Sequence, residues 1–500
     1  MKTRTVALRI AAAGGTLVLV ALLGWLAWTW YDSRLPSAYN AMDFGTLDFG
    51  GGSVPASVRH GGGGEQAGGH MISVADLKGP GGKPDVRFRL TAKHAKVRLA
   101  SGRVIDALTF DGRLPGPELR VHEGDLVEVT LLNKDIEQGV SIHWHGVDVP
   151  NAEDGVAGVT QDAVAPGGRY TYRFRAEQVG TFWYHTHQVS SKEVRRGLFG
   201  AFVIEPRATR PPDLVELTVA AHTFEAVPTL NGNDGLQRRA VEAGAPVRLR
   251  LVNTNSTPER FTLGGTAFRV VAIDGTELNG PTPLEGTTLE LAGGGRYDVE
   301  FTMPAKPVVL ALADTAARLA FSPDGSADPQ AAPVGREFDP LTYGTPASTP
   351  FGIASHFDRR FTFEIGRKPG FYDGHPGLQW TINGGIFPDV PVFVVERGDL
   401  VEMTIVNKTP KVHPMHLHGH HVLVLSRNGV RASGSPWWAD TLDVEKDERY
   451  VVAFRADNPG LWMNHCHNLR HAADGLTMHV VYAGVATPFL VGGGKHNHPE

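Results

Sequence analysis

A twelve-residue stretch that recurs constrains this chain more than any other feature: EGDLVEVTLLNK at 123–134 returns as RGDLVEMTIVNK at 397–408, with a weaker copy, AGAPVRLRLVNT, at 243–254. Within each copy apolar and polar residues alternate, as in Val127, Val129 and Leu131 or Val247, Leu249 and Leu251. That is the period of a strand with one face buried. Long helical periodicity is absent beyond the N-terminal apolar run, and Gly-Asp, Asp-Gly and Asn-Gly pairs recur at intervals that suit sandwich turns. Three β-sandwich domains are therefore expected, at about 86–207, 208–315 and 356–485, with a Pro-, Ala-, Gly- and Ser-rich linker at 316–355.

Composition narrows the class. With 41% hydrophobic and 20% charged residues the chain is neither disordered nor collagenous. The net charge of -5, without a long block of like charges, leaves no footprint for nucleic acid. One cysteine excludes an internal disulfide framework, so packing, interfaces or metal must hold three domains together.

The N-terminus sets the compartment. Ile10 to Tyr31 are 22 residues without a charge, enough to cross a bilayer. Lys2, Arg4 and Arg9 precede them, which places residues 1–31 as a cytoplasmic start and single transmembrane anchor, with Trp25, Trp28, Trp30 and Tyr31 at the outer interface. A cleaved signal peptide is the competing reading, but its apolar core is usually about 7 to 15 residues and an A-x-A site follows it promptly. Either way the body is extracytoplasmic: in the cell membrane if anchored, secreted if cleaved. Residues 32–85, with HGGGGEQAGG and KGPGGK, read as a flexible tether in which His60 and His70 are solvated. Residues 486–500 read as a frayed tail, where His496 and His498 lack the partners of a closed metal site.

The repeat continues into the histidines. HWHG begins ten residues after Asn133 and HLHG nine after Asn407; GTFWYHTH at 180–187 likewise corresponds to GLWMNHCH at 460–467. Domains one and three each carry two H-x-H pairs and domain two none. Residues i and i+2 of a strand point to one side, so each pair aims two imidazoles into one space. A lone H-x-H is as well an exposed strand with solvated histidines; four at equivalent positions are not accidents. Eight imidazoles exceed the needs of one metal and suit a cluster of copper ions. In domain three Cys466 replaces Thr186, His413 stands near the position of Val140, and His471 near that of Ser191. Two His and one Cys are the trigonal set of a blue-copper site, whose thiolate makes metal binding proton-releasing. An inert buried thiol is the alternative, and the histidines on both sides argue against it.

HWHG, YHTH, HPMHLHGH and HCHNLRH resemble the four copper signatures of the three-domain multicopper oxidases, the family of laccases, ascorbate oxidases and copper-efflux oxidases, over about 86–485. The resemblance implies an all-β chain of three cupredoxin-like Greek-key sandwiches behind one N-terminal helix, of a bacterial, membrane-anchored kind. It implies four copper ions: type 1 on His413, Cys466 and His471 with Leu476 axial, type 2 on His143 and His416, and two type 3 ions on His145, His185, His187, His418, His465 and His467. Four single electrons from a reductant would pass through Cys466 to the trinuclear cluster, where dioxygen becomes two waters, with domain two a spacer. Two departures from the commonest bacterial pattern stand out. Leu476 replaces the axial Met, which raises the potential, although Met478 lies two residues on; and Ala472 replaces a Glu thought to supply protons. Asp154 matches the other family acid and is expected to relay protons, with Asp474 a weak substitute for the missing Glu. The eight methionines are scattered, so a laccase-like oxidase of phenols and aromatic amines is expected; a cuprous oxidase for copper tolerance is the alternative, and a non-catalytic copper-binding protein a further one. His420, His421, Trp437 and Trp438 read as core or as support for the ligands.

Overall fold

Each copy of the repeat forms a central strand: Leu126–Asn133, Pro246–Asn253 and Leu400–Asn407. The computed structural model describes residues 2–55, 71–208 and 211–500; His60, His70 and the glycine run between them lie outside the described residues. In all three units the repeat strand has a parallel partner on one side, Val86–Arg98, Val215–Phe224 or Arg359–Tyr372. Its other neighbour is antiparallel, Arg169–Arg175, Arg296–Thr302 or Arg449–Arg455. The alternation in the sequence is the alternation in burial: Val127, Val129, Leu131, Val247, Leu249 and Leu251 are fully enclosed. Each faces the second sheet of its unit, giving four strands against four in the first unit, six against six in the second and seven against six in the third. The chain is thus a series of three β-sandwiches, as the repeat implied, of the cupredoxin-like kind that the resemblance implied.

The asparagine that ends every copy has one job in all three places. Asn133 donates from Nδ2 to the carbonyls of Ile136 and Val164 and accepts from Ile136 N–H. Asn253 does the same with Thr257, Leu291 and Asn255, and Asn407 with Lys411, Val444 and Thr409. All three are buried, so each satisfies the backbone of the corner where the strand leaves the sheet.

With no disulfide available, apolar packing joins the units. One continuous core runs from Val219 and Leu249 of the second unit to Phe361 and Leu461 of the third, and takes in Val156 and Val159 of the first.

Three expectations about the connecting segments need correction. The described parts of the supposed tether are not free: Ala38–Tyr39 pairs with Val491–Gly492, Thr46–Asp48 lies alongside Pro391–Val395, and Ile72–Ser73 pairs with Val485–Ala486. An open sheet edge captures an extended backbone whatever its side chains, so glycine content does not report this. The stretch expected as a linker contains the strand Arg318–Ser322, whose Leu319 and Phe321 are buried in the second unit. The supposed frayed tail is held in place, as described below. The N-terminal helix, Lys2–Asp32, is long and apolar enough from Ala13 onward to cross a membrane, and that stretch is unburied.

Asn133→Ala removes three buried hydrogen bonds and is expected to cost about 2–3 kcal/mol of unfolding free energy at about 1 kcal/mol each. Lys134→Ala, at an exposed neighbour, should stay within about 0.5 kcal/mol. Denaturant titration of both variants checks the difference.

Candidate metal centre

Strand pairing sets His143 opposite His185 in the first unit and His416 opposite His465 in the third. The two units then face each other. His143 Nε2 lies 3.4 Å from His416 Nε2, and His418 Nε2 lies 3.1 Å from His465 Nε2. The ring of His145 stacks on that of His416 and the ring of His143 on that of His418, each at 3.8 Å between centroids. All eight histidines of the H-x-H pairs are at most 1% exposed. Strand periodicity accounts fully only for His143–His145, which lie inside one strand. His187, His418 and His467 stand just past the ends of Gly180–His185, His413–Leu417 and Leu461–Cys466, and are turned inward by the loops that follow.

Nearly every ring is oriented from behind by an oxygen. His143 Nδ1 meets the carbonyl and carboxylate of Asp154 at 3.0 and 3.1 Å, and His418 Nδ1 meets the same carboxylate at 3.1 Å. His185 and His416 donate from Nδ1 to the carbonyls of Thr186 and Asp440. His187 donates from Nδ1 to the carbonyl of Pro499 at 2.9 Å, and His465 Nδ1 faces Glu500 Oε1 at 3.2 Å. His145 is held the other way round, with Nε2 near Asp440 Oδ1 and Thr441 Oγ1. The opposite nitrogens of His145, His185 and His187, and both nitrogens of His467, are buried without a partner. Burial, reinforced by neighbouring imidazoles, holds His145, His185, His187, His416, His418 and His467 well below the ordinary histidine value and His465 at about 3. Neutral imidazoles with one nitrogen fixed and one free are the form that ligates metal. The donor set therefore fits a copper cluster.

A second set lies on the third unit. Cys466 Sγ is 3.5 Å from His413 Nδ1 and 3.7 Å from His471 Nδ1. Thr409, itself pinned by Asn407, sits 2.8 Å from His413 Nε2, so Nδ1 is the nitrogen turned to sulfur. Trp380 covers both rings, at 5.0 Å from His413 and 4.5 Å from His471. Burial pushes the Cys466 thiol well above its usual value and lowers His413 to about 3 and His471 to about 4. Leu476 and Met478 are both fully buried. The Cys466 N–H bonds to the carbonyl of Leu476, whereas Met478 pairs with Asn464 one strand repeat away. Leu476 is thus the cross-strand neighbour of the cysteine.

Several residues around the cluster carry no motif. Asp440 forms a fully buried two-point ion pair with Arg296, at 2.7 and 2.6 Å. Burial would raise Asp440, but Arg296 and His145 hold it well below the usual carboxylate range. Asp274 takes N–H bonds from Arg296 and Asp440 and is pushed up to about 6 by burial and the Asp440 charge. Gly294 has φ +96, and a Cβ there would stand 2.9 Å from the His145 ring and 3.1 Å from that of His467. Arg296, Asp274 and Gly294 all belong to the second unit, so it builds the wall of the cluster as well as spacing the other two. The signal available in the sequence was only GGGRYD, indistinguishable from a turn.

The last five residues correct the expectation of a frayed tail. Gln188 donates to the His496 carbonyl and accepts from His498 N–H, Val189 N–H bonds to the His498 carbonyl, and Ser190 Oγ donates to Glu500. Backbone bonding of this kind leaves no periodic trace. Glu500 is pushed up to about 8 by burial. Asp154 is buried between the units, while Asp474 is 41% exposed, pairs with Arg470 and touches no cluster histidine. His420 bonds to Tyr482 and the His418 carbonyl, and Trp437 is buried, which places both in packing. For His421, burial would lower the ring, but Asp148 and Asp440 raise it to about 10.

Residues 91–209, 203–310 and 361–484 each match a family model described as multicopper oxidase, together more than two thirds of the chain. The chain is 28% identical to Laccase-1 of Botryotinia fuckeliana, covering 76% of this chain and 79% of that protein. It is 26% identical to multicopper oxidase MmcO of Mycobacterium tuberculosis, over 82% of this chain and 90% of that one. Among solved structures, a multi-copper oxidase from Pseudomonas thermotolerans superposes with a TM-score of 0.66 at 28% identity, covering 80% of this chain and 99% of that one.

His465, His413 and His471 bind a proton more weakly in the folded chain than in the unfolded one, where the value is near 6.5. As pH falls below 6.5 the unfolded chain takes up protons first, so the copper-free protein should lose stability from there down to the folded values of about 3 to 4. Copper loading, which binds only the native arrangement, should move that loss to lower pH. Thermal midpoints of the copper-free and loaded protein against pH measure both effects.

Proposed function

This chain belongs to the multicopper oxidase family, oxygen-dependent oxidoreductases with type 1, type 2 and type 3 copper, and from that premise we propose that it is a laccase-like oxidase of phenols and aromatic amines. The observation that carries the reading is the convergence of eight buried imidazoles from two units beside a Cys466–His413–His471 set. When bound, copper would accept single electrons at the type 1 position and reduce dioxygen to two waters at the trinuclear cluster.

We assign His413, Cys466 and His471, with Leu476 beside them, as the residues that would hold type 1 copper, His143 and His416 type 2, and His145, His185, His187, His418, His465 and His467 type 3. Cys466 is bonded through the backbone to His465 and His467, so one tripeptide joins the two centres. Asp154 grips Nδ1 of His143 and of His418, one from each unit, and hands protons toward the space those rings enclose. Asp440 and Thr441 fix the tautomer of His145, and Pro499 that of His187. The burial of every ring excludes bulk water. The methionines of the third unit, Met403, Met415, Met463 and Met478, are all at most 4% exposed. Their near-complete burial favours an organic reductant over Cu(I). What supports an uncleaved anchor is that the 22 uncharged residues from Ile10 to Tyr31 exceed the core of a signal peptide, and Lys2, Arg4 and Arg9 before them favour an extracytoplasmic body.

Oxygen uptake by the copper-loaded chain is expected with a phenol and lost, together with the blue absorption, in Cys466→Ser. Uptake with Cu(I) alone would establish the cuprous oxidase instead, and none with any donor despite four bound coppers would overturn the oxidase.

Asp154→Asn keeps the shape of the side chain but removes its proton; turnover should fall about 100-fold or more and its pH profile shift. Unchanged oxygen turnover across pH would defeat the relay.

A further inference from the structure

One cavity is unused by the oxygen chemistry. It encloses about 370 Å³ between the segment that follows the N-terminal helix, the third unit and the last residues. That is within the range of small-molecule sites, about 300–1,000 Å³. Its walls include Leu35, Tyr372 and Phe387, and Ala472 puts it one residue from His471. Two polar groups on its lining, His479 Nε2 and Thr477 Oγ1, are buried and without a hydrogen-bond partner, in residues 8% and 9% exposed. Leaving such groups unpaired costs about 1–3 kcal/mol each, so a flat ligand with apolar faces and two hydroxyls suits the cavity.

The helix shows from which side that ligand arrives. Its end docks on the tip of the hairpin formed by Arg359–Tyr372 and His375–Ile382. Leu35 N–H bonds to Asp373, Gly374 N–H bonds to Ser33 Oγ, and a Cβ on Gly374 would touch the Trp30 ring at 3.3 Å. Five residues up the same hairpin from His375, a rise of about 17 Å, Trp380 lies on His471. Electron entry and cavity therefore both lie close to where the apolar helix leaves its bilayer. Leu378, between them on the hairpin, is 51% exposed.

We propose that this cavity binds the ring of a hydroquinone carried in the membrane, and that this is the reductant of the type 1 site. The inference rests on the oxidase reading and on the helix as an anchor. Each hydroquinone loses two electrons, singly, and two protons to become a quinone. Two of them reduce one dioxygen, and the four protons released equal the four that two water molecules take up.

The full chain in phospholipid vesicles, with a decyl-tailed hydroquinone in the bilayer, tests this against a water-soluble hydroquinone. A ten-residue Gly-Ser insertion between Tyr31 and Asp32, which leaves Leu35 on the cavity wall, should lower oxygen uptake with the tailed substrate about tenfold, by removing the enforced proximity, and leave uptake with the soluble one unchanged. His479→Phe should raise KM for the tailed substrate about tenfold, the loss of one hydrogen bond, with kcat held. The copper-free chain in the same vesicles should bind decyl benzoquinone saturably by tryptophan quenching, about tenfold more weakly in His479→Phe. An insertion without effect, a chain that does not stay with the vesicles, or no saturable quenching overturns the proposal. If no hydroquinone of either kind is oxidised, the laccase-like reading fails, and quenching of the copper-free chain still decides the binding site.

Discussion

Eight imidazoles shut away from water at the seam of two sandwiches are the constraint around which the rest of the molecule is arranged. An imidazole buried without partners is costly. The chain meets that cost by giving most rings an oxygen at one nitrogen and leaving the other for metal. Asp154 serves His143 from its own unit and His418 from the other, so a single carboxylate ties the two halves of the cluster together. The seam cannot open without breaking that carboxylate's contacts, which is why the cluster and the interdomain contact are one structural object.

The second unit is drawn into this arrangement. Arg296 reaches from it to Asp440 of the third unit and to the Thr181 carbonyl of the first, so one buried guanidinium contacts all three. An ion pair this deep gains little net stability and is severe to break. Its value is orientation: Asp440, held ionised, fixes His145 with Nδ1 turned to the cluster. The apolar core continuous between the second and third units supplies the cohesion that one cysteine cannot.

The His413–Cys466–His471 set lies on the other flank of the third unit. There Trp380 shields His413 and His471, and a hairpin links that shield to the end of the apolar helix. Cys466 bridges the two flanks, with its neighbours His465 and His467 facing the seam.

Much of this was legible in order of local strength. The strand pattern of the three repeats, the eight histidines and the Cys466 set can be read from the sequence because they recur as short motifs at matched positions of the repeat. Leu476 as the cross-strand neighbour of Cys466 is also a matter of short spacing. Asp440, Arg296, Asp274, Gly294 and Glu500 were not legible, since each acts through a partner on another unit and none carries a periodic signal. Backbone pairing of the glycine-rich segment and of residues 496–500 was hidden for a related reason: a sheet edge or a carbonyl recognises main chain, which every residue has. The sequence by itself determined which side chains are available and that they come in matched halves. Only the tertiary structure decided how the halves meet, which nitrogen of each ring is free, and which flank lies beside the apolar helix, because those are fixed by contacts between residues hundreds of positions apart.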